Sequence, residues 1–148
     1  MPMNTAKNGI ASNGQLLHYS VGAVIERDGK YLLVDRLKPP LGFAGLAGHV
    51  DEGEDFDAAI IREVEEESAL KVISAEPLFE EEILWNYCST APAHYWKLYR
   101  CSVAGNVRQN TAETKSIGWY TKEELETMAL EPVWLYWFEK LGVISKVK

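Results

Sequence analysis

Six residues at fixed spacing carry the chemistry this chain can offer: Gly48, Glu54, Arg62, Glu63, Glu66 and Glu67. On an α-helix with Arg62 set at zero, Glu66 falls at about 40°, Glu63 at about 100° and Glu67 at about 140°, so three carboxylates share one face. Ile61, Val64 and Ile60 fall at about 260°, 200° and 160°, an apolar stripe suited to a core. Like charges three and four apart destabilise a helix by roughly 0.2–0.5 kcal/mol per pair, so Glu63 opposes both Glu66 and Glu67. A bound divalent ion reverses that sign. Hard cations such as Mg²⁺ take oxygen ligands and keep several waters, so two or three carboxylates and a backbone carbonyl suffice when substrate phosphates complete the shell. Acidic helices are more often solvated faces, but here the charge is confined. Residues 51–67 hold nine acids and one base, −8 in all, against −7 for the whole chain, which leaves the remainder near +1.

The segment from Gly48 to Leu70 resembles the signature of the Nudix hydrolases: Gly, five residues, Glu, seven residues, then Arg-Glu-U-X-Glu-Glu-X-Gly-U, with U a bulky aliphatic. Gly48, Glu54, Arg62, Glu63, Val64, Glu66, Glu67 and Leu70 all match, over 23 of 148 residues. Ala69 departs from the family glycine. A glycine just past a helix commonly takes a left-handed backbone, which alanine reaches at a cost of about 1 kcal/mol or more. Either the helix ends differently here or the turn is strained.

The resemblance implies the Nudix α/β/α sandwich, a mixed β-sheet between helices. It implies a pyrophosphohydrolase dependent on a divalent metal, Mg²⁺ or Mn²⁺. The substrate class is a nucleoside diphosphate linked to another moiety: a nucleoside triphosphate, a dinucleoside polyphosphate or a nucleotide sugar. Cations neutralise the diphosphate oxygens that repel an incoming nucleophile. In that reading Glu66, Glu67 and the Gly48 carbonyl are metal ligands, and Glu63 is a further ligand or the general base. Arg62 pairs with Glu54 or a neighbouring carboxylate and holds the acids in register. The alternative is a non-catalytic Nudix-fold sensor or binding domain for a nucleotide metabolite, which ordinarily goes with lost glutamates; here all are present. A Ca²⁺-binding structural domain lacks its expected loop.

Outside the motif the signals thin. Arg36 is a candidate for a phosphate contact or an ordinary surface cation, and His49 touches substrate or caps the loop. Trp85, Tyr87, Trp96 and Trp119 offer flat faces for a base, with one or two expected in a pocket and the rest in the core. Glu113 is a possible additional acid that binds metal or activates water, or an exposed loop residue. Glu80, Glu81 and Glu82 read as a solvated strand edge. Tyr87 lies where a subgroup that cleaves dinucleoside polyphosphates carries a tyrosine, but nothing selects one substrate.

The elements that must position these residues follow from composition and periodicity. At 148 residues, 47% hydrophobic and 25% charged, the chain is expected to form a single domain, with residues 1–13 as a flexible lead. Cys88 and Cys101, placed on two strands, are expected to be reduced core residues, which agrees with a cytoplasmic setting. No signal segment or membrane span is expected. The net charge of −7 argues against a nucleic-acid partner. Strands are expected over Leu16 to Glu26, Tyr31 to Asp35, Leu46 to Val50, Val72 to Ala75, Phe79 to Cys88, His94 to Val103 and Ile117 to Tyr120. Asp28-Gly29 marks a hairpin. Helices are expected over Asp55 to Ser68, after the capping box Thr121-Lys122-Glu123-Glu124, and over Val133 to Leu141 behind Pro132. The last is apolar nearly all round, which points to burial and leaves a homodimer contact open.

Overall fold

The structure is a computed structural model, and it describes residues 6–145. The larger sheet is built on β2 (Leu16–Val24), whose run from Ser20 to Val24 is buried on both faces. That burial explains why its second half, Val21 to Val24, carries no polar side chain and does not alternate. One edge of β2 pairs antiparallel with β1 (Asn8–Ile10) and then with β6 (Leu46–His49). The other edge pairs parallel with β8 (Ala93–Ala104), which pairs in turn with β7 (Lys71–Ile83). In the second sheet β4 (Lys30–Arg36) pairs antiparallel with β3 (Glu26–Arg27), β5 (Phe43–Ala44) and β9 (Thr114–Thr121). The expected mixed sheet is therefore divided into two.

Alternation along β8 places the helices. Tyr99 faces α1 (Phe56–Ser68) and donates its hydroxyl to Asp57 at 2.5 Å. Trp96, of opposite parity, meets Trp134 and Trp137 of α3 (Pro132–Lys140). The large sheet thus carries α1 on one face and α3 on the other, as the α/β/α expectation requires. The apolar last helix is consumed by this packing, with Val133, Trp134, Trp137 and Phe138 buried. Thr121 and Glu124 form the expected capping box, though the helix it opens, α2 (Lys122–Leu125), is a single turn.

Several expectations are corrected. Residues 1–5 of the expected flexible lead lie outside the described residues, but Ala6 bridges Asp51 and Asn8–Ile10 form a strand. The two strands expected on either side of Pro77 are one. β7 lies at the sheet edge, where a missing N–H is tolerated, and its register shifts between Pro77 and Phe79. This strand stops at Ile83, so Cys88 lies in a loop and only Cys101 is on a strand; both thiols are free. Ile61, placed in the buried stripe, is 42% exposed, whereas Ile60 and Val64 are fully buried. Asp28 (φ 53°) and Gly29 (φ 77°) form the expected two-residue turn. Among the described residues no helix is long and apolar enough to cross a membrane.

Candidate active site on the acidic face of helix α1

Helix α1 begins where Asp55, in an extended conformation, accepts a hydrogen bond from Ala58 N at 2.8 Å. That cap meets one of the four unpaired amides every helix start exposes. One residue earlier, Glu54 ties the glycine loop to the helix. Its carboxylate accepts from Asp51 N at 3.0 Å and from both Nε and Nη2 of Arg62, at 2.7 and 2.9 Å. This fork holds the Glu54 carboxyl below the usual carboxylate range and raises the Arg62 guanidinium above its own.

Arg62 also donates to the His49 carbonyl at 3.0 Å and to Glu63 at 2.8 Å, and lies 3.4 Å from both Glu66 and Asp51. One cation therefore faces four carboxylates. The expected pairing of Arg62 with Glu54 is present and is bidentate. At the far end of α1, Ala69 stands at φ 64° and sends its N–H to Glu65 O. The helix ends as the family glycine would end it, so of the two expected alternatives the strained turn is the one found.

The acidic face opens on a cavity of about 380 Å³ lined by Gly48, Glu63, Glu66, Glu67, Arg36 and Glu113, among others. Glu67 accepts from Ala47 N at 3.0 Å, yet burial, then the charge of Glu63, pushes its carboxyl up to about 8. Burial likewise pushes Glu63 up to about 7, against the pull of Arg62. Two carboxyls held so far above their normal range in one recess mark a place where negative charge lacks compensation.

Gly48 shows how closely the loop approaches. An added Cβ there would fall well inside van der Waals contact of the Glu63 carboxylate. The residues fit a hard divalent cation by their donor chemistry: Glu63 lies against Gly48, Glu67 accepts from the neighbouring Ala47 N, Glu66 lines the same cavity, and all three offer oxygen. Glu63, Glu66, Glu67 and the Gly48 carbonyl are the groups that could hold it.

The other sequence candidates separate cleanly. Arg36 lines the cavity and donates Nε to Pro40 O at 2.7 Å. His49, Trp96 and Tyr87 also line it. Trp96 is largely core, since its Nε1 is given to Asn86 Oδ1 at 2.8 Å and its ring packs on two α3 tryptophans. Trp85 is not brought to the cavity; it is 52% exposed and meets Tyr136 edge-on. Trp119 lies under Arg27. Glu80, Glu81 and Glu82 are engaged elsewhere, by Tyr95, by Lys140 and Tyr136, and by Ser12.

Residues that sequence reasoning passed over also line the wall: Asn86, Cys88 and His94, with His18 beside them. Burial lowers the pKa of all three imidazoles, that of His49 to about 4. The only signal in the chain is that histidine occurs three times, and the residues meet only once strand register is known.

The NUDIX domain family model matches residues 16–138. The NAD-capped RNA hydrolase NUDT12 of Homo sapiens is 31% identical over 107 residues, 69% of this chain and 21% of the relative. The chain thus spans about a fifth of the length of the curated relatives it matches. Among solved structures, the MutT NUDIX hydrolase from Burkholderia pseudomallei shares the fold with a TM-score of 0.74 at 23% identity, covering 84% of this chain and 98% of that one. The MutT protein from Methanosarcina mazei Go1 shares it at 0.71 and 20% identity, covering 85% and 93%.

Proposed function

Since the chain belongs to the Nudix family, we propose that it is a divalent-metal-dependent pyrophosphohydrolase cleaving a nucleoside diphosphate linked to another moiety. The observation that carries this reading is the pair of buried carboxyls beside the glycine loop, Glu63 against Gly48 and Glu67 bonded to Ala47 N, on the wall of one cavity. Glu66, Glu67 and the Gly48 carbonyl hold Mg²⁺ or Mn²⁺, and Glu63 serves as a further ligand or as proton acceptor. When bound, the ion supplies charge neutralisation for the diphosphate and Lewis acidity toward water.

The chain's own groups do the rest. Arg62, clamped on Glu54, fixes the first turns of α1 against the loop and keeps Glu63 aimed at Gly48. Arg36, the cavity's guanidinium on the β4 side, offers a charge for a phosphate oxygen. Glu113 lies on the same wall, where it can accept a proton or join the ligand set. Tyr87 presents a half-exposed ring at the opening, suited to stacking on a base.

The test is incubation with nucleoside triphosphates, nucleotide sugars, ADP-ribose and dinucleoside polyphosphates in Mg²⁺ or Mn²⁺, with phosphate or nucleotide release as readout. NAD-capped RNA joins the panel because NUDT12 carries that substrate in its name. Turnover of at least one member, lost in Glu66→Gln, supports the enzyme. Binding across the panel without turnover by the wild type overturns it in favour of a sensor.

A further inference from the structure

Every histidine in the chain and one of its two cysteines meet at one point. His18 and His94 are opposite each other in the parallel pairing of β2 and β8. His49 arrives from β6 on the other edge of β2, paired with Ser20, and Cys88 from the loop after β7. The four ligand atoms lie within 4.8 Å of one another. We propose that His18, His49, Cys88 and His94 form a tetrahedral imidazole and thiolate site for a zinc-type ion, distinct from the carboxylates of α1.

Geometry supports a four-coordinate ion. With bonds of about 2.0–2.1 Å to nitrogen and about 2.3 Å to sulfur, a tetrahedron separates two nitrogens by about 3.3 Å and nitrogen from sulfur by about 3.6 Å. His49 Nε2 lies 3.3 Å from His94 Nε2, and Cys88 Sγ lies 3.6 Å from His18 Nδ1. The remaining ligand atoms lie no more than 4.8 Å apart, so closing the tetrahedron takes shifts of roughly 1.5 Å or less per pair.

The donor chemistry agrees, because imidazole with thiolate selects zinc or Cu(I), where an all-oxygen set selects Mg²⁺ or Mn²⁺. The surrounding shell is also built. His94 donates Nδ1–H to the Asn86 carbonyl at 2.9 Å, which leaves the Nε2 lone pair aimed into the cluster. Asn86 is held in turn by the Trp96 indole, and the Thr90 hydroxyl lies 3.5 Å from the Cys88 sulfur. His49, Cys88 and His94 line the cavity, which gives an ion its way in. On binding, the Cys88 thiol gives its proton to solvent, and the ion clamps the 84–92 loop onto the sheet.

The native chain carries its own reporter: Cys88 is partly exposed while Cys101 is 2% exposed, so a thiol reagent reads Cys88. In excess Mg²⁺, one equivalent of Zn²⁺ is expected to be retained on dialysis and to slow Cys88 modification at least about tenfold. Co²⁺ in its place is expected to give sulfur-to-metal charge-transfer absorption and the intense visible bands of a tetrahedral ion. Cys88→Ser, on the loop, and His18→Ala, in the sheet, should each weaken zinc at least about tenfold, with circular dichroism reporting the fold. Glu66→Gln should leave zinc binding and thiol protection unchanged. No zinc retained in excess Mg²⁺, or zinc kept in Cys88→Ser and lost in Glu66→Gln, would overturn the proposal and leave a hydrogen-bonded histidine cluster.

Discussion

At the residue scale two small residues, Gly48 and Ala69, shape the two ends of the motif. Gly48 leaves no room for a methyl group against the Glu63 carboxylate, and that carboxylate is buried and bonded to Arg62, so it cannot swing aside freely. Gly48→Ala should therefore displace Glu63 and lower turnover on the order of a hundredfold, with the far-ultraviolet spectrum unchanged. Ala69 is the opposite case: it holds φ 64° with a Cβ that disfavours it. Ala69→Gly should raise the unfolding free energy by about 1 kcal/mol in a denaturant titration, with turnover unaffected. The motif residues were legible in the sequence because each has a fixed spacing along one helix. Ala69 was legible as a departure, though only the backbone decides between its two outcomes.

At the element scale, α1 depends on how it starts. Asp55 supplies the side-chain acceptor for the first turn, and the next six residues lead directly to Arg62. Asp55→Ala should cost about 1 kcal/mol in thermal or chemical unfolding. It should reduce activity less than Gly48→Ala, because Glu54 still clamps Arg62. Helices and caps are legible in the sequence because their signals are local: the capping box at Thr121 and the proline opening α3 both stand where expected. Strands are less legible where the decisive fact is non-local. Pro77 reads as a break unless β7 is known to be an edge, and Asn8–Ile10 read as a fraying lead unless β2 is known to have a free edge there.

For the whole molecule, the acidic face couples ion binding to protonation. Glu63 and Glu67 hold protons more tightly folded than unfolded, their carboxyls lying at about 7 and about 8 against an ordinary 4.5. In the ion-free protein their contribution to stability is therefore present at low pH and is lost as pH rises through 7 and 8. A divalent ion competes with those protons. Mg²⁺ should raise the melting temperature more at alkaline than at acid pH, and its apparent affinity should fall as pH drops through neutrality. A shift independent of pH would contradict this coupling. The histidine cluster also belongs to this scale, since it joins residues up to 76 positions apart through three strands and a loop. No local pattern announces it.

Metal-dependent hydrolysis on the α1 carboxylates is tested by steady-state turnover of the best panel substrate by the wild type and by Glu67→Gln, each in Mg²⁺ and in EDTA. Turnover is expected only for the wild type in Mg²⁺, with Glu67→Gln slower by at least about a hundredfold while still folded. Undiminished hydrolysis in EDTA, or by Glu67→Gln in Mg²⁺, would contradict it.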